Sequence, residues 1–139
     1  MSSSDPLRVA LRWTREGLRF VGGAEDGPEI FLESGGKTAP SPTALLLLSL
    51  AGCMGVDVVD ILGKSRVPLE ALEVSVEGDR APEPPKRFTA IRLVYRLRGP
   101  EPAHQARLER AIDLSREKYC SVLHTLRPDL ALDIRIERI

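Results

Sequence analysis

The chain has 139 residues, 42% of them hydrophobic, and 20 basic against 20 acidic side chains give a formal net charge of zero. That length fits one domain, residues 1–139, with one core and little to spare, and the balanced charge excludes a phosphate-driven nucleic-acid binder, which gathers basic side chains on one face. The opening MSSSDPLRVAL lacks the features of an export signal, and the apolar-rich stretch Ala44 to Val56, followed at once by Asp57, is too short to cross a bilayer, so a cytoplasmic protein without membrane attachment is expected.

Leu7, Val9, Leu11 and Trp13 alternate with polar or small residues, the period-two signature of a half-buried strand. Arg15, Glu16 and Gly17 read as a tight turn, Leu18 to Val21 as the returning strand, and Glu29 to Glu33 as a third strand, so residues 7–33 form a small antiparallel sheet. Residues 34–40 are rich in Gly and short side chains and read as a connector. Ser41 is placed to accept a hydrogen bond from a free amide of a first helical turn, and Pro42 sits where no amide donor is needed. The helix is predicted over 42–62, roughly 30 Å at 1.5 Å per residue. It is apolar on nearly all sides and is expected to be buried, which a chain this short does not manage alone. A second antiparallel hairpin is predicted over 72–98, with Arg92, Arg96 and Arg98 facing water. Another helix is predicted over about 102–120, a short one over Ser121 to Leu126, and a final strand over about 131–137.

The chain has two cysteines, Cys53 on the central helix and Cys120 at the junction of the later helices, 67 positions apart. In a cytoplasmic setting such thiols stay reduced unless they turn over in catalysis or sense oxidants. Ser49, Cys53, Asp57 and Asp60 fall on one helix face at spacings of four, four and three. Cys53 reads equally as a small hydrophobe in a core. Asp57 opposes a thiolate nearby, so an activated Cys53 needs a cation from elsewhere. Cys120 gains from a helix start and from Lys118, or serves as a buried structural thiol. No CxxC or HxxxH pair joins the cysteines to His104 or His124, so no metal site is expected. No GxSxG elbow or phosphate-binding glycine loop is present.

The segment APSPTALLLLSLAGCMGVDVVDIL, followed by DLSREKYCSVLHTL, resembles the OsmC-like superfamily, which includes osmotically inducible protein C and the organic hydroperoxide resistance proteins. The resemblance extends over essentially the whole chain and is nearest to the less characterised OsmC-like branch. It implies an α+β fold and an intertwined homodimer in which antiparallel sheets wrap two long central helices. It further implies thiol-dependent reduction of organic hydroperoxides in oxidative-stress defence, with Cys53 as peroxidatic nucleophile, Cys120 as resolving thiol, no cofactor, and an external dithiol as reductant.

In the organic hydroperoxide enzymes the activating cation is an arginine in an R-D-G turn, which Arg15, Glu16 and Gly17 resemble, so Arg15 is the candidate here, with Arg12 and Arg19 close in sequence as alternatives. Those enzymes hold that arginine with a glutamate in an N-P-E segment. This chain reads Ser41, Pro42, Thr43, and a threonine does not grip a guanidinium bidentately; Glu29 or Glu33 is the available substitute. The altered shell leaves two alternatives to the peroxidase: a non-catalytic dimer that binds a hydrophobic small molecule, and a thiol-redox sensor.

Overall fold

Alternation in the first third of the chain is realised as three strands, β1 (Val9–Trp13), β2 (Arg19–Ala24) and β3 (Glu29–Glu33). They form an antiparallel sheet in the order β1-β2-β3. The computed structural model describes residues 5–139; the serine-rich start, residues 1–4, lies outside the described residues. Within these, residues up to Leu46 and residues from Leu47 onward form two compact units. In the first unit the β1–β2 turn is held by Thr14, whose Oγ1 donates to the Arg19 carbonyl at 2.9 Å and accepts from the Glu16 amide at 3.3 Å. Arg15 takes a left-handed backbone there, with φ 72°. Gly22 lies opposite Leu11 in the register, and a Cβ at this position meets the Ala10 carbonyl oxygen at 2.0 Å. Only glycine lets the two strands approach so closely.

The helix α1 (Pro42–Lys64) starts where expected, with Ser41 Oγ accepting the Ala44 amide at 3.1 Å, and its body belongs to the second unit. There, β4 (Ala71–Arg80) and β5 (Phe88–Arg98) form the antiparallel hairpin, with an irregularity at Asp79 and Arg80. Arg92 on its outer face pairs with Glu77 at 2.6 Å and Asp79 at 2.9 Å, and Arg96 pairs with Glu73 at 3.3 Å.

One expectation is corrected in this unit. The last strand, β6 (Ala131–Arg138), runs parallel to β5, so the sheets are not all antiparallel. Residues 99–130 provide the helical crossover that a parallel neighbour requires. The helix expected over about 102–120 is one uninterrupted helical stretch in three successive geometries, a 3-10 turn (Pro102–His104), α2 (Gln105–Leu114) and a π-helical turn (Ser115–Tyr119), and the short helix expected after it is α3 (Ser121–Thr125).

The core of this unit joins Leu50, Met54, Val58 and Leu62 of α1 to Ile91, Leu93, Tyr95 and Leu97 of β5 and Leu108, Ala111 and Ile112 of α2. By length and composition α1 passes as a membrane span, yet it is the core helix of the unit. It is not buried all round, as its composition predicts. Leu48, Val56 and Val59 stay 57%, 67% and 51% exposed in a single chain. They border an apolar groove of about 630 Å³ floored by Gly52, Gly55 and Val74.

Candidate functional site

α1 presents Cys53 and Asp57 one turn apart, and the second cysteine reaches them from the crossover. The sulfurs of Cys53 and Cys120 and a carboxylate oxygen of Asp57 all lie within 4.8 Å of one another. Cys120 is fully buried, while Cys53 and Asp57 are half-buried. Cys120 occupies the N-cap position of α3, where its Sγ accepts the Leu123 amide at 3.3 Å. The π-helical turn just before it adds one residue to the loop of backbone, with the Cys120 amide bonded to the Ser115 carbonyl at 2.9 Å. Such turns widen a helix locally and re-aim the residues that follow.

The same turn contributes Ser115. Its side chain is fully buried, and its Oγ donates to Asp57 Oδ2 at 2.8 Å. Asp57 is thereby fixed beside the thiols, whereas Asp60 turns to water and pairs with Lys64 at 2.9 Å. Burial pushes the Cys120 thiol up to about 11; the Leu123 amide opposes this, and the Cys53 thiol and the Asp57 charge add to it. Tyr95 is buried and its hydroxyl has no hydrogen-bond partner among the described residues, and burial, with the charges of Cys120 and Asp57, raises its phenol above the usual range.

The structure thus brings together Cys53 and Cys120 and adds Asp57, Ser115 and Tyr95. Asp57 was visible as part of a polar helix stripe, but Ser115 and Tyr95 carry no local signal, since tertiary placement alone recruits them. His124 is not a member: its Nε2 lies 3.0 Å from the Arg116 carbonyl.

The third expected residue, Arg15, lies in the β1–β2 turn of the first unit, its guanidinium 5.7 Å from the Trp13 ring centre. It makes no ion pair among the described residues. Arg12, by contrast, is gripped by both oxygens of Glu29 at 2.7 and 3.0 Å. Arg19 stacks on Phe31 at 4.0 Å. Glu33 accepts from the Thr38 amide and hydroxyl at 2.8 and 3.0 Å. Both carboxylates named as substitutes for the missing glutamate are therefore engaged locally. Thr43 Oγ1 lies 3.4 Å from the capping hydroxyl of Ser41.

Residues 34–135 match the family described as OsmC-like protein. Protein YhfA of Escherichia coli K12 is 38% identical over 117 residues, covering 84% of this chain and 86% of that one. The crystal structure of a hypothetical protein from Aquifex aeolicus superposes with a TM-score of 0.84 at 32% identity, covering 97% of each chain. An organic hydroperoxide resistance protein OsmC from Legionella pneumophila shares the fold at a TM-score of 0.70 and 16% identity, covering 98% of this chain and 99% of that one. Two sheets, a long cysteine-bearing helix, a second cysteine at a helix junction and these matches together make the chain a member of the OsmC-like family.

Proposed function

We propose that this protein is a cytoplasmic, homodimeric reductase of organic hydroperoxides that works through Cys53 and Cys120. The observation that carries the reading is the meeting of two thiols, distant in sequence, within 4.8 Å in a partly accessible site. At that separation a small local motion closes a disulfide. The Cys53 thiolate attacks the outer peroxide oxygen, the O–O bond breaks, and the alcohol leaves with one proton while Cys53 becomes a sulfenic acid. The Cys120 sulfur then attacks the Cys53 sulfur, water departs with the Cys120 proton, and a disulfide remains. An external dithiol restores both thiols and carries away the two electrons' worth of oxidation as its own disulfide.

Burial divides the roles. Cys120, protonated at neutral pH, does not compete for peroxide, and half-buried Cys53 is the thiol that substrate reaches. Arg15 is proposed as the cation that favours the Cys53 thiolate and stabilises the departing oxyanion. That it makes no ion pair among the described residues, against the Arg12–Glu29 grip, favours it over Arg12. The exposed Leu48, Val56 and Val59 face supports the homodimer, since an apolar strip of this kind is stable in water when a second copy covers it.

The test is consumption of cumene hydroperoxide by the reduced protein in the presence of dihydrolipoamide. Turnover is expected for wild type and none for Cys53→Ser, and Arg15→Ala is expected to lose about a hundredfold. Wild type that consumes no more peroxide than Cys53→Ser overturns the reading.

A further inference from the structure

The geometry points to a second capacity of the same cluster: we propose that, in the reduced protein, Cys53, Asp57 and Cys120 bind a thiophilic divalent cation, zinc by the chemistry of the donors. Spacing along the chain concealed this site, because its third donor is a carboxylate one turn from Cys53 rather than a histidine or a second CxxC. Two sulfurs and a carboxylate oxygen already lie within 4.8 Å of one another. Zinc–sulfur bonds near 2.3 Å and zinc–oxygen bonds near 2.1 Å put neighbouring donors of a tetrahedron roughly 3.5–3.8 Å apart. The three atoms therefore need to close by about 1.3 Å at most.

Three features argue that these donors form a built site. Cys53 and Asp57 project from one rigid helix, and Cys120 is fixed from the facing crossover by the Leu123 amide at 3.3 Å. Ser115, wholly buried, donates to Asp57 Oδ2 at 2.8 Å and leaves Oδ1 for a metal, the arrangement by which an outer hydrogen bond orients a ligating carboxylate. Charge completes the case. With both thiols ionised the cluster holds three negative charges, and within the Leu47–Ile139 unit no Lys or Arg pairs with Asp57 among the described residues. A divalent cation neutralises two of them. Paired thiolates select zinc over hard cations such as magnesium or calcium. The half-buried side of Cys53 leaves a fourth coordination position for water.

Binding replaces the two thiol protons by one zinc ion, and disulfide formation removes both sulfur donors. Metal occupancy and oxidation therefore exclude one another. The inference does not require peroxidase activity, so its failure and the failure of that reading are separable.

The test titrates the reduced, chelator-stripped full chain with Zn²⁺ against a chromophoric chelator, and in parallel with Co²⁺ followed by absorption. One ion per chain is expected, with a thiolate-to-cobalt charge-transfer band and d–d bands of tetrahedral intensity. Cys53→Ser, half-buried and mild, removes that band. Asp57→Asn and Ser115→Ala each weaken zinc binding by about tenfold or more while circular dichroism stays native. Protein oxidised with diamide, which takes the two electrons and two protons of the thiols, binds no zinc. Reduced wild type that binds no more tightly than Cys53→Ser overturns the proposal, as does undiminished binding by a folded Asp57→Asn variant.

Discussion

Cys120 links the electrostatics of the site to the stability of the fold. Its thiol ordinarily loses a proton near 9, and burial holds it up to about 11 in the folded chain. Below pH 9 it is neutral in both states and costs nothing. Between about 9 and 11 the unfolded chain releases the proton more readily, so the folded state binds more protons and stability falls as pH rises. Urea unfolding at pH 8 and pH 10.5, compared between wild type and Cys120→Ala, is expected to show an extra loss at high pH in wild type only. Equal losses in both remove Cys120 as the cause. The two cysteines were legible as a pair because each sits in a recognisable helical context, and Asp57 was legible as a neighbour on the same helix face. Its present role was not. A carboxylate beside a thiol reads from sequence as a liability, and only the Ser115 hydroxyl, reaching it from 58 positions away, shows it to be a fixed part of the site.

The elements follow local chemistry closely where one hydrogen-bonding pattern decides them. The start of α1 is an example: Ser41, Pro42 and the apolar run after them specify a helix end, and the Ser41 Oγ bond to the Ala44 amide bears this out. Ser41→Ala is expected to lower stability by about 1 kcal/mol, read from the midpoint shift in urea, while leaving the secondary structure unchanged. An unchanged midpoint contradicts the cap. The strands were also legible, but their directions were only partly so. Leu132, Ile134 and Ile136 alternate in the same way whether the neighbour is parallel or antiparallel, so periodicity cannot orient β6. The long helical connection after β5 held that information, and it was read for its helices alone. The π-helical turn at Ser115–Tyr119 has no signature in residue type. It reflects how the crossover must pack to bring Ser115 and Cys120 inward together.

For the whole molecule, hydrophobic content and helix length predicted that α1 needs more cover than one chain provides. The single chain leaves Leu48, Val56 and Val59 in solvent, and this strip is what the proposed homodimer buries. Val56→Asp sets a charge in the middle of that face without touching the core of its own chain. Sedimentation is expected to show a dimer for wild type and a monomer for the variant; a dimer that persists in Val56→Asp places the contact elsewhere. The central claim concerns the two sulfurs, and the most direct measurement is peptide mapping by mass spectrometry, under non-reducing conditions, after one equivalent of cumene hydroperoxide. The account predicts a disulfide between Cys53 and Cys120 of one chain, and in Cys120→Ser an oxygen added to Cys53. Recovery of both cysteines as free thiols, or bridges that join only separate chains, contradicts it.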